Sequence, residues 1–304
     1  MHIKFKNGML FSLFSLCIGA VAGGIIWVFF KLMNGSIHFF WEYLPSHFSI
    51  PCYTVILCVL GGILIGLWQK KFGNYPEELP VVMKKVKEDG GYPYHHIFPM
   101  CISALLPLTF GGSVGPEAGL TGVIAGLCTW IGDTFKHALR EMKELTQIGI
   151  SATLGTIFRS PMFGFVEPIE SENENTVLPK TSKIVIYFLA ILGALGIFLI
   201  LGELFGGSAG LPSFSGIVMG KKEWLFILPL ALIGTLAGLL NHAFAKLAQQ
   251  IAKPLFSYPI LRCTIAGLLL GLARNIPTFC IVFWGTSNDR ANAKLDQLYR
   301  SPFT

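Results

Sequence analysis

Long apolar segments constrain the fold of this chain more than any other feature of its sequence. They cover about residues 8–33, 51–68, 97–131, 146–166, 184–205, 224–246 and 259–284. A straight helix needs about 20 apolar residues to cross the hydrocarbon core of a bilayer, and several of these segments are long enough. Only 13% of the 304 residues are charged, which is about half of the share usual in a soluble domain. The sequence therefore predicts an all-α integral membrane protein.

Charge and cysteine content exclude several other classes of protein. The net charge of +6 is modest, and the basic residues lie mainly at the ends of apolar segments. This distribution is typical of a multi-pass protein of the cell membrane rather than of a nucleic-acid binder. The seven cysteines form no C-x-x-C pair, so neither a zinc site nor a disulfide framework is predicted. We expect no metal and no cofactor.

Two pairs of segments are similar to each other and indicate an internal repeat. Residues 10–32 (LFSLFSLCIGAVAGGIIWVFFKL) match residues 225–247 (LFILPLALIGTLAGLLNHAFAKL) at a constant offset. Residues 61–67 match residues 266–272 in the same order along the chain. Duplicated membrane folds leave this kind of trace and are typical of many secondary transporters.

The repeat predicts how the chain is divided. A first membrane repeat would occupy residues 1–205, a linker residues 206–223 and a second membrane repeat residues 224–304. Because the second range is much shorter than the first, the second repeat would be incomplete and would contain at most a short counterpart of residues 71–131. A truncated chain and a protein that works with half of a repeat-built site are both consistent with this pattern. The 34 glycines favour close helix contacts and broken helices over a simple bundle.

Glu117 is the one charged side chain between Ile97 and Gly132. A carboxylate at membrane depth is costly and normally faces a cavity, an ion path or a partner. Pro116, directly before it, suits the first position of a helix, and an exposed helix N-terminus favours anions. Glu117 could therefore occupy an anion site when ionised and leave it when protonated, or it could merely cap its own helix.

A second candidate helix start lies at residues 73–76 (GNYP), after the second apolar segment. Asn74 could cap this helix, Pro76 suits its first turn, and the acidic residues that follow suit its positive end. Taken alone, this is an ordinary helix start.

These elements, in this order, resemble those of the CLC family of chloride channels and proton-coupled chloride transporters. Residues 115–119 (GPEAG) look like the family's GREGP element and place Glu117 at its gating glutamate. Residues 73–76 fall where the family has GSGIP, and residues 158–171 (FRSPMFGFVEPIES) are similar to the third element of its anion pathway. The resemblance implies an anion site formed by Gly73, Asn74, Tyr75, Pro76, Gly115, Pro116, Ala118 and Gly119.

The resemblance also implies an architecture and a function. It implies a CLC-like inverted-repeat fold with broken, re-entrant helices, in a homodimer with one anion pathway in each subunit. Chloride or a similar small anion would be transported through a pathway that Glu117 gates. The family's proton-relaying glutamate aligns with Ser171, although the neighbouring Glu170 could substitute on a proton path. A proton-coupled exchanger and a non-transporting, truncated remnant of a CLC protein are therefore the alternatives.

An intramembrane enzyme is the alternative from a different class. It would need a nucleophile with a base, or a set of metal ligands, at membrane depth. The sequence has no H-E-x-x-H motif and no acidic pair within an apolar segment. No enzymatic activity is predicted.

Overall fold

The computed structural model describes residues 2–48, 52–73, 75–77, 79–112, 114–134, 142–164, 180–206, 220 and 223–274. Within these ranges the chain is built from helices and has no β-strand, as predicted. The α-helices are α1 (His2–His38), α2 (Leu44–His47), α3 (Tyr53–Phe72), α4 (Leu79–Asp89), α5 (Ile97–Thr109), α6 (Pro116–Thr134), α7 (Met142–Ile157), α8 (Lys180–Phe205), α9 (Ile227–Ala252) and α10 (Pro259–Arg274). A π-helical turn joins α1 to α2, and 3₁₀ turns flank α9 at Glu223–Phe226 and Lys253–Leu255.

Four helical stretches of the described chain are long and apolar enough to cross a membrane. They are Ser12–His47, Tyr53–Phe72, Ile184–Phe205 and Ile227–Leu255. The apolar segment 97–131 instead divides into α5 and α6. With 13 residues, α5 is about 20 Å long and is shorter than the hydrocarbon core of about 30 Å. The predicted break at the glycines between these two helices is therefore confirmed.

Helices α1 and α8 pack closely because small residues line their contact. A Cβ atom added at Gly19 would overlap the carbonyl of Ala190, and one at Gly23 would overlap that of Ala194. Small residues let membrane helices approach to backbone contact, which maximises their van der Waals attraction. The residue numbers of the contacting pairs rise together along both helices, so α1 and α8 run parallel.

Helices α3 and α10, which contain the second pair of matching segments, pack directly against each other. An added Cβ at Gly62 would overlap the carbonyl of Cys263, and one at Gly267 would overlap that of Cys58. Gly62 and Cys58 are the repeat counterparts of Gly267 and Cys263. Each helix therefore makes the same contact with the other, a glycine against the carbonyl of the other helix's cysteine. Reciprocal contacts of this kind are the mark of a two-fold axis. The predicted repeat is therefore visible in the packing.

The two matching helices α3 and α10 are inverted with respect to each other. Gly66 lies against Ile260, and its counterpart Gly271 lies against Val55, so the residue number on α10 falls as that on α3 rises. The two helices are antiparallel, and the two-fold axis that relates them lies perpendicular to both. This is the inverted-topology arrangement found in many transporters.

In an inverted repeat, equivalent positions of the two repeats lie on opposite sides of the bilayer. His38, at the end of α1, and Lys253, after α9, are equivalent and exposed. In a background without native cysteines, a membrane-impermeant maleimide should label His38→Cys from one side of the bilayer and Lys253→Cys from the other. Permeabilised membranes, in which both should react, provide the control. Labelling of both from the same side would contradict the inversion.

Helices α6 and α7 form the centre of the described fold. The side chains of Leu120 and Val123 in α6 and of Ile150 and Leu154 in α7 are at most 1% exposed. Helices α4, α5 and α8 pack around this pair. The first turn of α6, which carries Glu117, therefore lies at one end of a helix whose middle is buried against α7.

Candidate functional site

The loop between α5 and α6 presents Glu117 at the start of α6. Gly111 ends α5 with a φ of +86°, a conformation that glycine adopts at little cost. The Gly112 N–H donates to the Pro107 carbonyl over 2.6 Å and turns the chain back. Pro116 is the first residue of α6, as predicted from its position before Glu117.

The Glu117 side chain folds back over the loop that precedes its own helix. An added Cβ at Gly115 would overlap the Glu117 carboxylate, so this carboxylate lies directly against the Gly115 backbone. The first N–H groups of a helix have no partner within the helix, and this end carries partial positive charge. The carboxylate therefore lies where the backbone favours an anion, and glycine at position 115 provides the room.

Two further residues hold the first turn of α6. The buried hydroxyl of Thr121 donates to the Glu117 carbonyl. Gly119 is buried, and an added Cβ there would overlap the Ala104 side chain of α5. The structure thus places Gly119 in the contact between α5 and α6, whereas Pro116 and Ala118 are half-buried. Binding of an anion by these residues stays a prediction.

The second candidate element differs from expectation in where its helix begins. Gly73 ends α3 with a φ of +96°, and the Tyr75 N–H donates to the Gly73 carbonyl over 3.0 Å in a tight turn. Helix α4 then begins at Leu79. The prediction that Pro76 starts this helix is therefore wrong, because residues 75–77 are still non-helical. Asn74 lies outside the described residues.

A cluster of polar side chains that the sequence analysis missed holds this turn. The Lys85 ammonium lies 2.5 Å from one Glu77 carboxylate oxygen, and the Tyr92 hydroxyl donates to the other over 2.9 Å. Burial is the main cause that raises the pKa of Tyr92, and the nearby Glu77 charge raises this pKa further. The Tyr92 phenol therefore keeps its proton and remains a hydrogen-bond donor. The Tyr92 N–H in turn donates to Thr129 of α6 over 2.9 Å. No spacing in the sequence indicates this link between the turn and α6.

The Tyr92 hydroxyl offers a test of this link. Tyr92→Phe removes a hydrogen bond to a half-buried carboxylate, which is worth about 1.5–3 kcal/mol when the acceptor is charged. We expect a lower midpoint in thermal unfolding of the purified protein. Tyr258→Phe, at an exposed tyrosine, is the matched control and should leave the midpoint unchanged. An equal midpoint for both variants would show that the Glu77 contact does not stabilise the fold.

Residues of the other two elements singled out in the sequence pack against buried clusters to which α6 contributes side chains. Tyr75 and Phe158 both pack against a buried cluster that includes Val123, one turn into α6 from Leu120. Phe158 also packs against a second cluster that contains Leu120, and Leu120 lies three residues after Glu117. The beginning of the third element therefore packs against the same buried clusters as the first turns of α6. Glu170 and Ser171, at its end, lie outside the described residues.

Comparison with models of protein families shows to which family the chain belongs. The model of the voltage gated chloride channel family matches residues 61–298, well over half of the chain. The chain belongs to this family. Its members, the CLC proteins, are channels and transporters that carry anions across membranes, and they are not enzymes.

Comparison with solved structures agrees. The crystal structure of a CLC-type fluoride/proton antiporter is similar to this chain with a TM-score of 0.65. The likeness covers 97% of this chain and 71% of the antiporter chain at 21% sequence identity. At this identity it shows the fold, an all-α CLC membrane fold. A search of curated proteins found no match.

One motif of a different class occurs in the same loop. Residues 111–115 (GGSVG) fit the G-x-S-x-G pattern of serine hydrolases. In those enzymes the serine lies on a sharp turn from a strand into a helix. Here the preceding element is the helix α5, so the context that this motif requires is missing. In this CLC loop Gly111 instead adopts the positive φ of the turn after α5, and Gly115 leaves room for the Glu117 carboxylate.

Proposed function

We propose that this CLC protein transports chloride or a similar small anion and that Glu117 gates its pathway. The observation that carries the proposal is the place of the Glu117 carboxylate, folded over Gly115 at the N-terminus of α6. An ionised carboxylate in this place occupies the position that the helix end offers to an anion. A protonated side chain has lost its charge and can leave, so an anion can take its place.

The proposed anion site is built largely from backbone. The first element contributes Gly73, Asn74, Tyr75 and Pro76, and the second contributes Gly115, Pro116, Ala118 and Gly119. Backbone N–H groups at helix ends select an anion by charge and fit and carry no side-chain code. We therefore assign the class of substrate, a small monovalent anion, and not one species.

Further parts of the proposal rest on the family resemblance. The protein would reside in the cell membrane as a homodimer with one pathway in each subunit. Its membrane repeats would cover residues 1–205 and 224–304, joined by the linker 206–223. A proton-coupled exchanger that uses Glu170 and a non-transporting protein are the competing possibilities. Proton movement against a chloride gradient in liposomes, measured with a pH-sensitive dye, would distinguish the exchanger from a passive pathway.

A further inference from the structure

The π-turn between α1 and α2 (Phe39–Tyr43) lies against the end of α5, where the loop before Glu117 begins. A π-turn is rare within a helix and is frequent at functional sites. The extra residue turns the positions that follow it by about 100° relative to a continuous α-helix. This turn carries Phe40 and Trp41, and both side chains reach the end of α5.

Trp41 supplies the hydrogen bond that the last carbonyl of α5 needs. The last four carbonyls of a helix have no donor within the helix, and a buried carbonyl without a donor is costly. The N–H groups of residues 110–112 donate to the carbonyls of residues 106–108. The carbonyl of Thr109, a residue that is only 6% exposed, accepts from the Trp41 indole N–H over 2.8 Å. A side chain from outside α5 therefore completes the end of this helix.

Phe110, the first residue after α5, is held from two sides. Its ring lies 5.4 Å from that of Phe40, and an added Cβ at Gly61 of α3 would overlap it. The Tyr53 hydroxyl, at the start of α3, donates to the Phe40 carbonyl over 2.6 Å and ties the π-turn to the same helix. The π-turn and α3 together therefore fix the point at which the chain leaves α5.

This fixed point lies at the beginning of the loop against which Glu117 rests. Gly111 turns the chain with its φ of +86°, and Gly115, against which the Glu117 carboxylate lies, follows Thr109 by six residues. Because the loop is this short, the place of Gly115 depends on where α5 ends. A carboxylate that rests against backbone atoms loses its resting place when that backbone moves.

We propose that Trp41 is a positioning residue for the gate, because its indole N–H fixes the end of α5 and with it the loop against which the ionised Glu117 carboxylate lies. The inference rests on the proposed function, in which Glu117 closes the pathway when it is ionised. Loss of this hydrogen bond loosens the loop and destabilises the closed position of the carboxylate. The open state, in which the side chain has left the loop, does not depend on it.

Chloride efflux from liposomes with Trp41→Phe protein tests the effect on the gate. This variant keeps an aromatic ring and removes the N–H. Efflux at pH 7.5 should rise relative to efflux at pH 4.5 by up to about fivefold, the factor that corresponds to one hydrogen bond of ordinary net strength. A ratio of two rates does not depend on how much of the protein is folded, so a purely structural role would not change it.

Trp68→Phe is the matched control for this measurement. The Trp68 indole N–H also donates to α5, at the Ser103 hydroxyl over 3.0 Å, but this contact lies in the middle of the helix and away from the loop. Trp68→Phe should leave the ratio of the two rates unchanged. Equal changes in the two variants would overturn the proposal.

The Glu117→Gln background shows whether Trp41 acts through the gate. With no carboxylate to hold in place, Trp41→Phe should no longer change the ratio. His38 and Glu42, which are 3.5 Å apart and exposed beside Trp41, still titrate in this background, so an effect that depends on them would persist. A change as large as in the wild-type background would therefore overturn the proposal.

The rate at which a maleimide labels Val114→Cys follows the loop without any transport. In a background without native cysteines, Trp41→Phe should raise this rate by up to about fivefold, and Trp68→Phe should not. An unchanged rate with Trp41→Phe would overturn the proposal whatever the flux shows. Wild-type protein that transports no chloride would refute the proposed function and the role in gating with it, while faster labelling would still support the contact that fixes the loop.

Discussion

Replacement of Glu117 by Gln should make chloride flux nearly independent of pH. Glutamine has the shape of a protonated glutamate and cannot ionise, so the variant should stay in the state in which an anion can enter. In the wild-type protein the flux should fall as pH rises, because ionisation returns the carboxylate to its place over Gly115.

The measurement is chloride efflux from liposomes with purified protein at a series of pH values between about 4.5 and 7.5, the usual working range of such vesicles. Glu117→Asp is the matched variant. Its carboxylate still titrates but is one methylene shorter, so it should reach back less far and block less at neutral pH. If Glu117→Gln retained the pH dependence of the wild-type protein, Glu117 would not be the gate.

Gly115→Ala should raise chloride flux at neutral pH. A Cβ at this position overlaps the Glu117 carboxylate, so the ionised side chain can no longer lie over the loop. We expect the pH dependence to weaken, as in Glu117→Gln, although the residue that titrates is unchanged. Gly122→Ala provides the control, because an added Cβ at this glycine of α6 makes only ordinary contacts, at 3.5 Å or more.

The double variant Gly115→Ala, Glu117→Gln separates displacement of the gate from other effects of the methyl group. If Gly115→Ala acts by moving the carboxylate, it should have no further effect once position 117 is glutamine. A change of similar size in the Glu117→Gln background would show that the methyl group alters the pathway directly. Unaltered pH dependence in Gly115→Ala alone would contradict the close contact between Gly115 and the carboxylate.

The features that the sequence analysis predicted well are local or repeated ones. Pro116 starts α6 because a residue without an N–H and with a fixed φ suits the first turn of a helix. The break between α5 and α6 follows from the glycines that lie between them, of which Gly111 adopts a positive φ. The match of residues 61–67 with 266–272 reappears as reciprocal contacts of Gly62 and Gly267, because duplicated segments retain the residues that form their mutual contact.

The features that the sequence analysis missed depend on side chains that meet only in the folded chain. Pro76 suits a helix start, yet α4 begins at Leu79. Glu77 could have stabilised the positive end of this helix, but its carboxylate is bound by Lys85 and Tyr92. Tyr92 comes from the loop after α4, and no periodic pattern brings it to Glu77.

Chloride efflux from liposomes containing the purified wild-type chain tests the central claim most directly. The test follows chloride release with an ion-selective electrode after a potassium ionophore removes the opposing electrical potential. We predict release above that of protein-free liposomes, and faster release at pH 4.5 than at pH 7.5, since in the proposed mechanism protonation of Glu117 opens the pathway. Release no faster than in protein-free liposomes at either pH, from protein whose helical content shows it to be folded, would contradict the claim and favour a non-transporting protein.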